Sequence, residues 1–168
     1  MSSSPFSSFI LDHPSPYPFY VFAGPCSAET EEQTLETARA LRAGGICFFR
    51  ASLWKPRTRP GSFEGVGEQG LPWLVRVKEE LGMQVATEIA SPQHAEVALK
   101  AGLDTFWIGA RTTASPFAVS ELAEALAGTD TCILVKNPLN PDIDLWEGAL
   151  LRLQQVGIKS IGAIHRGF

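Results

Sequence analysis

The chain has 168 residues, of which 45% are hydrophobic and 19% are charged, and its formal net charge at pH 7 is −4. This is the composition of a globular protein with one core, and the acidic balance disfavours nucleic acid or an anionic membrane as the partner. No apolar run approaches the roughly 20 residues of a membrane span, and residues 1–19 lack the basic and apolar regions of a signal peptide. The three cysteines have no framework spacing, which predicts reduced thiols and a cytoplasmic location.

Short apolar runs alternate with amphipathic runs along the chain, which predicts strands that alternate with helices. The strands are predicted at about residues 18–24, 46–50, 83–89, 104–110, 131–137 and 159–168. The helices are predicted from Ser27 to Gly44 and at residues 71–82, 91–102, 115–128 and 142–157. Ser27, Ser91 and Ser115 are predicted N-caps, and glycines follow the helix ends. The segment GVGEQG, residues 65–70, is interpreted as a flexible loop, because a dinucleotide fingerprint would need a strand directly before it.

Apolar strands that alternate with helices predict an α/β fold with a parallel sheet covered on both faces. Polar residues at or just after the ends of different strands predict one central pocket fed by every strand, which favours a TIM (β/α)8-type barrel over a doubly wound sheet. These residues are Arg50, Glu88, Arg111, Lys136, His165 and Arg166. Since a complete barrel has eight units, we expect one truncated after about the sixth strand. Residues 1–17 are expected to form an N-terminal arm and residues 18–168 the partial barrel.

Several cations follow the predicted strands, four of them within the ten residues 50–59. Cations at the mouth of one barrel would repel one another unless an anion neutralises them. The planar guanidinium of arginine also suits bidentate binding of phosphate or carboxylate. The sequence therefore predicts a small-anion site at the strand ends.

Cys26, in the segment GPCS, ends the first predicted strand at the same mouth. Its position before a helix start favours a thiolate, and the residues alone leave a nucleophile and a soft metal ligand as alternatives. Cys47 and Cys132 are predicted core residues. For His165 the residues leave three roles open: a metal ligand, an acid or base, or a hydrogen-bonded residue of the pocket wall. His94 is predicted to lie on a helix surface.

Short motifs occur in order along the chain: GPCSAE, R-x-x-x-x-KPRT, GSFEGVGEQGL, ATEI, IGARTT, VKNP and GAIHRGF. Together they resemble the 3-deoxy-7-phosphoheptulonate (DAHP) synthases, above all the compact type I beta group, from about residue 18 to the last residue. The sister family, the 3-deoxy-octulosonate 8-phosphate synthases, carries K-A-N-R where this chain has KPRT. This segment favours the DAHP synthases.

The resemblance implies a transferase that condenses phosphoenolpyruvate with erythrose 4-phosphate, the first step of the shikimate pathway to aromatic amino acids. The residues implied to bind phosphoenolpyruvate are Arg50, Lys55, Arg111, Lys136 and Arg166, with the backbone of Gly109 and Ala110. Those implied to receive erythrose 4-phosphate are Pro56, Arg57 and Thr58. Lys55 and Glu88 are the implied catalytic residues.

The resemblance also implies a divalent metal ion, with Mn, Fe, Co and Zn as candidates, and Cys26 as one of its ligands. The family's other ligands, a His, a Glu and an Asp, come from the seventh and eighth strand regions, which these 168 residues do not contain. We therefore expect an N-terminal fragment or a truncated reading frame, inactive on its own and homo-oligomeric when complete. The alternatives are the sister octulosonate synthase and an inactive phosphate-binding remnant.

Overall fold

The computed structural model describes residues 20–167. The strands are β1 (Phe22–Ala23), β2 (Phe48–Arg50), β3 (Gln84–Ile89), β4 (Thr105–Ile108), β5 (Cys132–Lys136) and β6 (Ser160–Ile164). The helices are α1 (Glu31–Ala43), α2 (Leu71–Leu81), α3 (Pro92–Lys100), α4 (Ala110–Thr113), α5 (Pro116–Leu126) and α6 (Ile143–Gln155). A 3₁₀ helix, Gly67–Gly70, precedes α2. The predicted N-terminal arm, residues 1–17, lies outside the described residues.

All the described strands are parallel and lie side by side in chain order, from β1 at one edge of the sheet to β6 at the other. A doubly wound sheet reverses its strand order at a switch point, and a barrel does not. The described strands show no such reversal. The predicted barrel-type α/β fold is therefore confirmed, with six strands among residues 20–167 where a closed barrel has eight.

The two faces of the sheet have different neighbours. Side chains such as Phe106 and Ile133 point outward and form the main core with the helices. The inner face carries a smaller cluster, to which only strand residues belong: Ala86, Trp107, Cys132 and Leu134, with Phe22 and Ile164 packed against them. The prediction that both faces are covered was wrong, because consecutive helices of a barrel-type sheet all lie outside it.

Side-chain oxygens cap the N-termini of most of the longer helices. Ser91 and Ser115 accept hydrogen bonds from backbone N–H groups three residues ahead, as predicted, and Asp142 does the same for α6. The predicted cap of α1 was wrong: Thr30 Oγ1 accepts the bond from the backbone N–H of Gln33 at 3.1 Å. The Ser27 hydroxyl is instead buried, and it has no hydrogen-bond partner among the described residues.

Three local features differ from the predicted elements. Strand β1 has only two residues. The GVGEQG segment, predicted as a flexible loop, contains the 3₁₀ helix, whose last residue, Gly70, is buried. The short helix α4 follows β4 after a single residue, Gly109.

Among residues 20–167, no helix combines the length and the apolar character needed to cross a membrane.

We predict that Thr30→Ala lowers the free energy of unfolding by about 1 kcal/mol, because it removes the N-cap bond of α1. Ser27→Ala should change that free energy by less than about 0.5 kcal/mol, since its buried hydroxyl loses no bond. Urea denaturation followed by circular dichroism measures both variants. A greater loss in Ser27→Ala than in Thr30→Ala would contradict the assignment of the cap.

Candidate functional site

The inner face of the sheet encloses a concavity of about 590 Å³. Its walls include residues of all six strands, among them Phe22, Ala86, Leu134 and Ile164. Arg50 and Lys136, the last residues of β2 and β5, add two cations to this otherwise mainly apolar surface. The carboxyl ends of parallel strands thus meet at one mouth, which is where barrels carry their sites.

Trp107 lies between these two cations. The guanidinium carbon of Arg50 is 4.9 Å from the centre of the indole ring, and the ammonium nitrogen of Lys136 is 5.3 Å from it. Both distances are within the range of a cation–π interaction. Trp107 is buried, so the two charges share a ring that water hardly reaches. The sequence did not single out Trp107, because an aromatic residue inside an apolar strand is typical of a core.

Glu88 is also buried at this mouth. Its Oε2 accepts hydrogen bonds from the Ser52 hydroxyl at 3.2 Å and from the Trp107 indole N–H at 3.0 Å. Its Oε1 lies against Gly109, where a Cβ atom would collide with it. A glycine at this position therefore leaves room for the carboxylate.

The side chains of Arg50 and Lys55 also hold the chain that follows β1. The Arg50 guanidinium donates to the carbonyl of Pro25 at 3.0 Å, and Lys55 Nζ donates to the carbonyl of Cys26 at 2.7 Å. These bonds place the Cys26 backbone beside the cations, and the Cys26 side chain is exposed. The other two cysteines lie away from the mouth, and burial raises the pKa of the Cys132 thiol to about 12.

The described residues do not form a complete metal site. Among residues 20–167, no group of three His, Cys, Asp or Glu side chains is placed to hold a metal ion. A structural or catalytic transition-metal site needs at least three protein ligands. Cys26 alone does not make one, so the described residues do not by themselves fit the implied metal.

The basic loop that follows β2 is closed at its base. The backbone N–H of Lys55 donates to the carbonyl of Glu64 at 2.8 Å, and that of Gly67 donates to Leu53 at 3.0 Å. Gly65 has a φ of +99°, and a Cβ there would collide with the Leu53 carbonyl. These contacts make residues 53–67 a compact loop with a defined base.

The predicted residues of the loop divide into two places. Thr58 accepts a hydrogen bond from the guanidinium of Arg111 at 3.0 Å, and both side chains are exposed. Pro56 and Arg57 line a second concavity of about 360 Å³, together with Trp54, Lys55, Glu64, Ala90 and His94. The Arg111 guanidinium therefore contacts the basic loop, whereas Arg50 and Lys136 contact the Trp107 ring.

His94 is not the surface residue that was predicted. Its ring stacks on Trp54 with the ring centres 4.3 Å apart, and its Nδ1 accepts a bond from the backbone N–H of Ala90 at 3.3 Å. Burial lowers its pKa, although Glu68 and Glu88 act in the opposite direction. The stack packs the start of the basic loop against helix α3.

The last described residues are joined to the end of β5. The buried side chain of Asn137 accepts a bond from the backbone N–H of Arg166 at 2.7 Å and donates to the carbonyl of Gly167 at 3.2 Å. The Arg166 side chain is exposed. Asn137, like Ser52 and Trp107, is a residue of the mouth that sequence reasoning missed, since its partners are distant in the chain.

Fold and mouth together define a barrel-type α/β domain with a cationic site at the carboxyl ends of its strands. The chain belongs to the DAHP synthetase I family, whose model matches residues 15–168. The resemblance inferred from the motifs is thereby confirmed.

Two named relatives are each similar to part of this chain. A Thermotoga maritima protein named phospho-2-dehydro-3-deoxyheptonate aldolase is 42% identical over 97 residues, covering 55% of this chain and 27% of that protein. A Nitratidesulfovibrio vulgaris protein named 2-dehydro-3-deoxyphosphooctonate aldolase is 40% identical over 83 residues, covering 45% of this chain and 30% of that protein. Each match spans less than a third of the relative's length.

Solved structures agree as well. The crystal structure of the Thermotoga maritima DAHP synthase superposes with a TM-score of 0.74 at 28% identity, and the match covers 86% of this chain and 40% of that one. A truncated form of 3-deoxy-D-arabino-heptulosonate 7-phosphate synthase from the same organism gives a TM-score of 0.73 at 27% identity, over 89% of this chain and 52% of that one.

The pKa of Lys136 supplies a test of the site. Burial lowers this pKa, Arg50 and Lys55 add repulsion, and Glu88 and Cys26 act in the opposite direction. Because a lowered pKa means that the ammonium loses its proton below the usual alkaline range, anion affinity should fall as the pH rises through that value. Nuclear magnetic resonance titrations with sulfate from neutral to alkaline pH measure this fall.

The matched control is Lys136→Arg, whose guanidinium stays charged throughout. Its sulfate affinity should stay nearly constant over the range in which the native chain loses binding. Equal pH profiles for the two chains would contradict a role of Lys136 in the anion site.

Proposed function

We propose that this chain provides the substrate-binding part of a DAHP synthase, a transferase that condenses phosphoenolpyruvate with erythrose 4-phosphate. The observation that carries this proposal is the pair of cations, Arg50 and Lys136, over one indole ring at the mouth of a family-typical barrel. The reaction would be the first step of the shikimate pathway to aromatic amino acids.

Phosphoenolpyruvate carries a phosphate and a carboxylate and so needs several cations. In the proposal, Arg50, Lys55 and Lys136 bind and orient these groups, since all three lie close enough for their charges to act on one another. The backbone of Gly109 and Ala110, where α4 begins, faces the phosphate, and Arg111 and Arg166 close over it. Orientation by several fixed charges places the reacting carbon and reduces the entropic part of the barrier.

Erythrose 4-phosphate is proposed to bind at Pro56, Arg57 and Thr58. The closed base of the basic loop supports this, because a preformed loop loses less entropy when it binds a ligand. Lys55, which lies between the loop and the strand ends, is the proposed acid or base. Glu88 is the second proposed catalytic group, and its carboxylate is held by two donors.

The sister octulosonate synthase is the alternative function. It is favoured by the Nitratidesulfovibrio vulgaris relative, whose printed name describes an octonate aldolase at 40% identity. The KPRT segment at residues 55–58 opposes it, since the sister family carries K-A-N-R there. The two candidates differ in the aldose phosphate they use, and an assay of both aldoses therefore separates them.

A divalent metal with Cys26 as one ligand belongs to the proposal, and its part would be to polarise the aldehyde of the aldose. Its other ligands would have to come from outside the described residues, so we derive no step through it. A cytoplasmic location and a homo-oligomeric state of the complete protein remain predictions, as does the inactivity of the 168 residues alone.

We predict that the chain binds phosphoenolpyruvate and that Arg50→Ala weakens this binding by roughly thirtyfold, or about 2 kcal/mol. The reason is that a half-buried guanidinium at the mouth is lost. Arg59→Ala is the matched control, because Arg59 is exposed on the basic loop and belongs to none of the proposed contacts. Isothermal calorimetry measures all three chains, and equal losses in both variants would remove the assignment.

A second prediction concerns catalysis and specificity. We expect a chimaera that joins residues 18–168 to the C-terminal barrel units of the Thermotoga maritima synthase to release phosphate from phosphoenolpyruvate with erythrose 4-phosphate. With arabinose 5-phosphate it should release little, because KPRT replaces the sister family's segment. Preference for arabinose 5-phosphate would establish the alternative function.

The same chimaera tests Cys26. Cys26→Ser should lose bound metal and activity together, because a protonated hydroxyl is a poor substitute for a thiolate. Cys132→Ser is the control, since that thiol is buried on the inner face away from the mouth, and it should change mainly stability. Full metal content and turnover in Cys26→Ser would exclude the proposed ligand.

A further inference from the structure

Trp107 occupies the middle of the inner face. It pairs in register with Glu88 on β3 and with Leu134 on β5, and it is 3% exposed. Neither the motifs of the family resemblance nor the proposed function gives it a part. Its surroundings contain two cations and one carboxylate, which is unusual for a tryptophan that only fills a core.

The first contact concerns the cations. Arg50 and Lys136 carry like charges, both are only half exposed, and the faces of an aromatic ring carry negative potential. A ring shared at 4.9 Å and 5.3 Å therefore offsets part of the repulsion between them without supplying a full negative charge. The cations keep their positive potential for a ligand.

The second contact concerns Glu88. The indole N–H and the Ser52 hydroxyl both donate to the same carboxylate oxygen. The salt bridges among the described residues involve other side chains, and Glu88 forms none with Arg50 or Lys136. The charge of Glu88 acts on Lys136, so this carboxylate would otherwise pair with the ammonium group and occupy the place of an anionic ligand.

We propose that Trp107 is a positioning residue of the anion site, whose ring face supports Arg50 and Lys136 while its N–H keeps the Glu88 carboxylate off them. The inference rests on the proposed function and deepens it. It predicts that the ring face and the N–H make separable contributions to anion binding.

The test uses the 168-residue chain, with sulfate and phosphoenolpyruvate as separate probes in calorimetric or magnetic-resonance titrations. Trp107→Met removes both the ring face and the N–H and leaves a flexible apolar side chain, and it should weaken the binding of both anions at least about tenfold. Trp107→Phe keeps a ring face, and it should weaken them only about threefold. Trp73→Leu is the control for loss of a tryptophan from helix α2, and it should leave both affinities unchanged.

A double substitution separates positioning from stability. In Trp107→Phe the carboxylate of Glu88 is released toward the cations, so adding Glu88→Gln should restore sulfate affinity to the native value. A merely structural role of Trp107 would give no such rescue, because Glu88→Gln returns no packing. Thermal unfolding of every variant shows how much stability each has lost.

A measurement on the native chain covers the case in which Trp107→Met does not fold. The side-chain protons of Arg50 and Lys136 should show upfield ring-current shifts, which Trp107→Phe largely keeps. Normal shifts, native sulfate affinity in folded Trp107→Met, or no sulfate binding by the native chain would each overturn the inference. Sulfate binding without phosphoenolpyruvate binding would overturn the proposed function, while the sulfate results still decide the part of Trp107.

Discussion

Two half-buried cations over one buried indole ring form the interaction on which the rest of the mouth depends. A charge that loses part of its water must find other partners, or it becomes neutral or moves out. Arg50 contacts the indole ring and donates to the carbonyl of Pro25. Lys136 contacts the same ring, and burial lowers the pKa of its ammonium group. Since neither cation forms a salt bridge with a carboxylate of residues 20–167, the positive potential stays at the mouth. The apolar inner wall, with few competing polar groups, strengthens that potential.

The strand order explains why such an interaction can exist in this fold. Parallel strands in sequential order place the helices on the outer face, and the main core lies there. The inner face is therefore free to carry residues that packing alone would not select. Because the carboxyl ends of β2 to β5 lie side by side, Arg50, Glu88, Trp107 and Lys136 come together from positions up to 86 residues apart in a register that the ladder fixes. Gly109 then leaves space for the Glu88 carboxylate beside the start of α4.

The sequence predicted the order and type of the main elements because local chemistry determines them. Ser-Pro starts at residues 91 and 115 are helix signals that depend on neighbours only, and the structure confirms both. The cap of α1 could not be located in this way, because Ser27 and Thr30 both precede acidic residues and differ only in tertiary burial. The role of Trp107 could not be predicted either, because the sequence of an apolar strand does not show on which face of the sheet a residue lies or which cations it contacts. The family motifs identified Arg50 and Lys136 but not the ring between them.

The basic loop begins close to the cation site and is bonded to the chain beside it. Two anionic substrates bound at these two places would therefore be aligned with each other. The backbone N–H of Lys55 donates to the carbonyl of Glu64 and so closes the loop, while the Lys55 ammonium group donates to the carbonyl of Cys26. One residue before it, Trp54 stacks on His94 of helix α3. The start of the loop is thus fixed on three sides, and the strand end that carries Arg50 lies only five residues away. In the proposed reaction, the two substrates would therefore be oriented by one rigid assembly, with Lys55 at the junction where the new bond forms.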